Sequence, residues 1–429
     1  MKKIYSCVLV LASLLLFIMG NEAKWNLNEV PLFHEQSATA FAETRQSKPF
    51  ITEKEFEQVL TLTNDQPIYM KQENLIRIGE LQANQAVALI GEDEEYYEIR
   101  VGKMPAFIRK GQAKVEKNVM KVPVHNERLG AVKTAQQTPV YTEANRKSDV
   151  LIQLRKGYRY PVIQEEKDWY LIKVGERAGY IHKSTVKMDE GVPVLLYHQV
   201  LPRKQMKTEM STISLESFEK QMAYLADEQF TTLTSQQLYD YLEGRLIVPE
   251  KALVITFDDG LLSSKEYAYP VLKQYGFTSP QHIISARIDR EKDGPAFDGG
   301  GLLKYLNVED LNEMKDVFQF EAHTCALHEL GVESGAGLVF EHTEEEIIED
   351  LQTNLQHVPS AVSIAYPYGQ YNEEFIAAAK EVGLLIGYTT VEGYANMELS
   401  NYEVNRFGMT EKRSFKDFAT YVDGDMRWP

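Results

Sequence analysis

Cysteine is almost missing from this chain: Cys7 and Cys325 are the only two. Cys7 sits before an apolar run, so Cys325 stands alone in any processed product, and no internal disulfide framework is possible. The fold must rest on buried cores or on a metal. Positive charge is also in short supply, with 46 Lys and Arg against 63 Asp and Glu, for a net charge of −17. Nucleic acid is excluded as an expected partner, because phosphate contacts need clustered basic residues. An anionic membrane surface is disfavoured for the same reason. A neutral or partly cationic polymer suits this charge better. Long apolar runs are scarce too. The one clear example, Ile4 to Met19, follows Lys2 and Lys3 and reads as an export signal or a retained membrane anchor over residues 1–23. It is slightly short for a spanning helix of about 20 residues. Ala40-Phe41-Ala42 and Ala23 are the candidate cleavage positions.

What is present is ordered by position. Residues 24–60 look like a polar linker. Two related stretches follow, at 61–118 and 130–189. Gln66-Pro67-Ile68-Tyr69 matches Thr138-Pro139-Val140-Tyr141, and Tyr96 to Gly102 matches Trp169 to Gly175. Ala106-Phe107-Ile108 then matches Gly179-Tyr180-Ile181. Apolar and polar residues alternate, with turn residues at short intervals, which predicts short antiparallel strands. The second copy, through Trp169-Tyr170 and Gly179-Tyr180-Ile181, resembles bacterial SH3-like wall-binding modules; the first copy does so more weakly. The resemblance implies two small all-β barrels that bind wall peptide or glycan, or that act only as spacers.

From Gly191 the pattern changes. Strand-length apolar runs alternate with helical stretches over 190–429. Val192 to Tyr197, Ala252 to Phe257, Gln281 to Ala286, Val317 to Ala322, Ser363 to Tyr366 and Leu385 to Thr389 are the predicted strands. Ser214 caps a helix with Leu215, Phe218, Met222 and Leu225 on one stripe. Repeated strand-then-helix units imply a parallel sheet with helices outside, open or closed as a (β/α) barrel, so the fold expected is multidomain, all-β modules followed by an α/β domain.

Three polar segments follow predicted strands: Tyr197-His198, Asp258-Asp259-Gly260, and His323 to His328. Adjacent carboxylates after a buried strand repel and are costly to desolvate, a penalty that a cation would remove. Both can reach one pocket only if the chain turns, and Gly260 permits that. Two histidines five residues apart would diverge by about 140° on a helix, so a shared metal requires a loop. Together His–Asp–His supplies three ligands and leaves positions open, which suits a catalytic zinc.

Thr256-Phe257-Asp258-Asp259-Gly260 resembles the first motif of the polysaccharide deacetylases, carbohydrate esterase family four (NodB-like). His-Thr-x-x-Leu-His at 323–328 and Tyr-His-x-Val at 197–200 look most like the branch containing poly-N-acetylglucosamine deacetylases. Ala365-Tyr366-Pro367-Tyr368-Gly369 resembles the third motif. The resemblance implies that Asp259, His323 and His328 hold a divalent metal, with zinc the expected ion. It implies that Asp258 is the general base, that the Tyr368 backbone N–H stabilises the oxyanion, and that His198 is the general acid. The implied reaction releases acetate from N-acetylglucosamine units of a cell-envelope glycan, peptidoglycan or poly-N-acetylglucosamine. The export segment puts the expected location outside the cell, at the wall or membrane, and a monomer is the expected state. One departure is sharp: the third motif ordinarily begins with Arg, and here the position is Ala365. Arg406, in Asn405-Arg406-Phe407, is the candidate to supply that charge. Competing readings are a glycan-binding pseudoenzyme and an O-acetyl esterase on the same metal site.

Overall fold

The computed structural model describes residues 51–424, apart from short breaks between 72 and 128, at 175–176, 245 and 333, and a longer one at 289–302. The export segment, the cleavage positions and the loop Asp298-Gly299-Gly300-Gly301 lie outside the described residues.

Residues 51–188 form a path of 14 strands among the described residues. The sequence repeat is a repeat of pairing. In the first copy Gln66–Lys71 pairs with Leu75–Leu81, and Tyr96–Val101 with Met104–Arg109. In the second, Thr138–Tyr141 pairs with Val150–Leu154, and Trp169–Val174 with Arg177–His182. The copies are joined rather than separate: Gln153 and Leu154 pair with Glu80 and Gly79, and one buried cluster runs from Leu60 through Ile181. The first strand, Ile51–Leu62, begins inside the stretch read as linker. Its partner strand, Ala113–His125, lies far along the chain, with Ile51 opposite His125. Local composition cannot reveal such a distant partner.

The second part is a curled parallel sheet. We label its strands β1 (Val194–Tyr197), β2 (Ala252–Phe257), β3 (Ser279–Ile283), β4 (Phe318–Ala322), β5 (Ser363–Ala365), β6 (Ile386–Tyr388) and β7 (Phe407–Gly408). The spatial order is β6-β5-β4-β3-β2-β1-β7, all parallel. The segment before β7 reaches the opposite edge as well: Thr389 N–H donates to the Val404 carbonyl, and Val404 N–H to the Gly387 carbonyl. The last segment thus touches both edges of the curl, in the manner of a (β/α) half-barrel.

The helices between these strands are α1 (Leu215–Asp227), α2 (Ser235–Leu242), α3 (Tyr269–Tyr275), α4 (Val308–Glu313), α5 (Glu344–His357), α6 (Glu373–Glu381) and α7 (Phe415–Asp423). Ser214 caps α1 by accepting from Ser217 N–H. Phe218, Met222 and Leu225 of α1 are buried against the sheet. Each contributes about 1.5–3 kcal/mol relative to exposure. Strand alternation then decides what faces inward. In β2, Leu253, Ile255 and Phe257 pack with α1, α3 and α7, while Ala252 and Val254 pack with Leu238, Tyr241 and Tyr388 inside the curl. Period two continues along the chain, so Thr256 and Asp258 also face the inside.

Candidate active site

The site lies where the parallel strands end. Four non-glycine described residues have left-handed backbone, and three of them are here: Asp259 (φ 76°), Thr324 (φ 64°) and Tyr368 (φ 57°). Such a conformation is costly for residues with a Cβ, about 1–3 kcal/mol each. At Asp259 it does specific work. Asp258 continues the strand and points inside, and the turn at Asp259, continued by Gly260 (φ 68°), swings the second carboxylate toward the same region. The turn falls on the carboxylate residue itself as well as on the glycine after it.

Asp259 Oδ1 is 3.3 Å from His323 Nε2 and 3.3 Å from His328 Nε2. One donor atom from each of the three residues lies within 4.8 Å of the others. The histidine loop is tied from several sides. His323 Nδ1 donates to the Ala365 carbonyl at 2.7 Å. The Asp350 carboxylate of α5 accepts from Cys325 and Ala326 N–H, both at 2.7 Å. Asn354 Nδ2 donates to the Thr324 and Ile283 carbonyls. Arg287 donates to the His328 carbonyl and to Glu329.

This donor set fits a divalent metal. With Nδ1–H given to the Ala365 carbonyl, His323 turns Nε2 toward the Asp259 carboxylate. Burial, helped by the neighbouring His323, pushes His328 down to about 3, so its ring is neutral near pH 7. Burial alone would raise Asp259, but its contacts with His323 and His328 outweigh it and hold this carboxyl well below its usual range. Two imidazoles and a carboxylate converging on one point are the components of a three-ligand catalytic site.

Asp258 has a separate environment. It is 3% exposed. Arg406 Nη1 donates to Oδ1 at 2.9 Å and Nη2 to Oδ2 at 2.8 Å, a two-pronged pair. Arg406 is itself fully buried, held by Nε to the Thr389 carbonyl at 2.8 Å and by Nη1 to Thr256 Oγ1 at 3.2 Å. Burial works against the charge on Asp258. Arg406, with His282, more than offsets it and keeps the carboxyl ionised. Ala365 has no charge to give. Its carbonyl holds His323, and the arginine comes instead from the segment leading into β7. His282 was not among the residues singled out from sequence. Its Nδ1 lies 2.9 Å from Asp258 Oδ1. The available signal was an ionisable residue inside a predicted buried strand.

His198 follows β1 and is partly exposed, within electrostatic reach of Asp259. Tyr368 packs its ring 4.5 Å from His328, and burial raises its hydroxyl to about 12. The turn around it is closed by Gly369 and Gln370 N–H to the Tyr366 and Pro367 carbonyls. Gly369 (φ 70°) leaves no room for a Cβ, which would meet Thr390 Oγ1 at 2.0 Å.

Residues 246–387 match the family model of polysaccharide deacetylase. YxkH of Bacillus subtilis strain 168, named as a polysaccharide deacetylase, is 29% identical over 235 residues, 54% of this chain and 76% of that protein. The poly-beta-1,6-N-acetyl-D-glucosamine N-deacetylase of Staphylococcus aureus strain N315 is 29% identical over 222 residues, 50% of this chain and 72% of that protein. Among solved structures, IcaB from Ammonifex degensii is 25% identical with a TM-score of 0.46, covering 55% of this chain and 97% of that one. Residues 246–387 therefore form a polysaccharide deacetylase domain, which makes this chain a hydrolase of the deacetylase type.

Proposed function

We propose that the protein removes N-acetyl groups from N-acetylglucosamine units of a cell-envelope polysaccharide, poly-N-acetylglucosamine or peptidoglycan, and releases acetate. The observation that carries this reading is the convergence of Asp258, Asp259, His323 and His328 at one end of the sheet, with Asp258 clamped by Arg406 and the donor atoms of the other three within 4.8 Å of one another. Asp259, His323 and His328 would hold a divalent ion, zinc by the chemistry of the donor set. Such an ion would acidify a water in its open positions and polarise a carbonyl oxygen.

The chain's own groups supply the rest. Asp258, ionised and clamped, accepts the proton of the attacking water as general base. The Tyr368 N–H stabilises charge as it develops on the acetyl oxygen. His198 delivers a proton to the departing nitrogen, without which an amine is a poor leaving group. The glucosamine amine and acetate are the products. We place the protein outside the cell, at the wall or membrane, with the two β-rich copies as SH3-like modules toward the glycan, and acting as a monomer.

The test uses the full chain without its first 23 residues, stripped of metal and reloaded with zinc. Acetate release from N-acetylglucosamine oligomers is measured, with Asp258→Asn in parallel. Zinc-dependent release that drops by about 10²-fold or more in the variant is expected. Release only from O-acetylated sugars would replace the reading with an esterase. A chain that binds no metal and releases no acetate would leave a glycan-binding pseudoenzyme.

A further inference from the structure

We infer that His282 is a positioning residue for Asp258, fixing which carboxylate oxygen is available to take a proton; this rests on Asp258 as base. The placement follows from register. In β3, Ser279, Gln281 and Ile283 face the helices, where Gln281 donates to Ser264 Oγ. Pro280 and His282 then face inside. Phe257 lies opposite Gln281 across the parallel pair, which sets Asp258 beside His282 one residue further on. His282 is fully buried.

The direction of its hydrogen bonds is determined by chemistry. An ionised carboxylate only accepts, so His282 Nδ1 carries a proton and donates to Asp258 Oδ1 at 2.9 Å. Its other ring nitrogen, Nε2, faces Ser363 Oγ at 3.1 Å, where the hydroxyl can donate to it. Ser363 Oγ in turn receives from Ser235 Oγ at 3.1 Å, and Ser235 lies 3.1 Å from the Tyr388 hydroxyl. Ser363 Oγ is thus the hydroxyl that meets the imidazole, backed by Ser235 and Tyr388, and Glu321 also takes hydrogen bonds from the Ser363 and Ser235 side chains.

The consequence falls on Asp258. Oδ1 accepts from Arg406 Nη1 and from His282 Nδ1, while Oδ2 accepts from Arg406 Nη2. Oδ1 is occupied on two sides, and the remaining capacity lies on Oδ2. Arg406 alone would hold either oxygen equally well, because its fork is symmetric with respect to the carboxylate. His282 breaks that symmetry.

The experiment uses the zinc-loaded chain and steady-state acetate release from N-acetylglucosamine oligomers. His282→Leu removes the donor. His282→Asn restores an N–H near the Nδ1 position. Ser363→Ala removes the hydroxyl beside Nε2. The expected result is a fall in kcat of about 10–100-fold for the Leu variant with bound zinc unchanged. Its KM should stay within about twofold of the parent. His282→Asn should recover most of the loss, and Ser363→Ala should fall between. A kcat for His282→Leu equal to the parent, with Asp258→Asn inactive, would overturn the inference and leave the base reading intact. Asp258→Asn near parental activity would overturn both. Should His282→Leu fail to fold, His282→Asn and Ser363→Ala decide: an inactive Asn variant, or an Ala variant with full kcat, sinks the assignment.

Discussion

Asp258 shows how far one residue's chemistry depends on its neighbours. Its carboxylate is buried, so it needs compensation, and Arg406 provides it through two parallel hydrogen bonds. A lysine keeps the charge and loses the fork. Arg406→Lys is therefore expected to lower kcat by about 10–100-fold, the rate equivalent of one charged hydrogen bond, while the zinc content stays at one per chain. Full activity in that variant would mean that charge alone suffices. Glu321 is the opposite case. It is 3% exposed, its Oε2 accepts from Val362 and Ser363 N–H, and burial raises it to about 7. Between its ordinary value of 4.5 and about 7, the native state holds a proton that the unfolded state has released. Stability from this group consequently falls as pH rises through that window. His282 and His328 are lowered, so they contribute the reverse slope, with stability lost as pH falls below 6.5. Comparing Glu321→Gln with the parent cancels the histidines. The amide oxygen can still accept both N–H groups. Urea unfolding at pH 5 and pH 8 should show the variant gaining up to about 3 kcal/mol over the parent at the higher pH. A difference that does not change with pH would remove Glu321 from the account.

At the scale of elements, the strand ends carry the strain and the chemistry together. Thr324 is β-branched, sits at φ 64°, and its buried hydroxyl has no hydrogen-bond partner in the structure. Both features cost stability, and both are relieved by glycine. Thr324→Gly should stabilise the protein by about 1 kcal/mol in denaturant unfolding, after the added chain entropy of glycine is subtracted. Its zinc affinity should fall, because the loop between His323 and His328 gains freedom. A variant less stable than the parent would show that the turn is not strained. These elements were largely legible in the chain. Ala252 to Phe257 reads as a buried strand and is one, because continuous apolar runs suit a sheet covered on both faces. The Ser214 cap and the stripe of α1 read equally well. The helical stretch before β3 begins with a π turn over Ser264–Ala268, which runs into α3. Gly260 was a visible turn signal, whereas the left-handed Asp259 and Thr324 were not, since neither residue type demands φ > 0.

At the scale of the molecule, the β-rich region and the deacetylase domain share backbone pairing. Arg159 N–H donates to the Val248 carbonyl, and Glu250 N–H to the Gly157 carbonyl. Arg159 Nε lies 2.9 Å from Asp189 Oδ2, which the Tyr241 hydroxyl also reaches at 3.2 Å. Both ends of this ion pair are nearly inaccessible, and Ile247 packs into the β-rich core. Removing Arg159 leaves the buried Asp189 with the Tyr241 hydroxyl and a looser partner, Lys133 Nζ at 3.6 Å. Arg159→Ala is expected to cost about 3–5 kcal/mol in equilibrium unfolding, and the Arg159→Ala/Asp189→Ala double variant less than the two singles combined. Strict additivity would show that the pair is not coupled. Cutting the chain at 190 would expose the same surface, so activity is better measured with the β-rich copies attached.

By itself the sequence determined the things that are local or periodic: the two β-rich copies, the β-then-α order, the candidate metal triad and the missing motif arginine. Short-range pattern suffices there, because alternation and residue type report burial and chemistry directly. Tertiary structure decided the rest. Arg406 is 148 residues from Asp258 along the chain, and Glu80 pairs with Gln153 across the two copies. His282 meets Asp258 only because parallel register sets β3 beside β2. Such contacts depend on which strands become neighbours, a property of the closed sheet that no single stretch of chain contains.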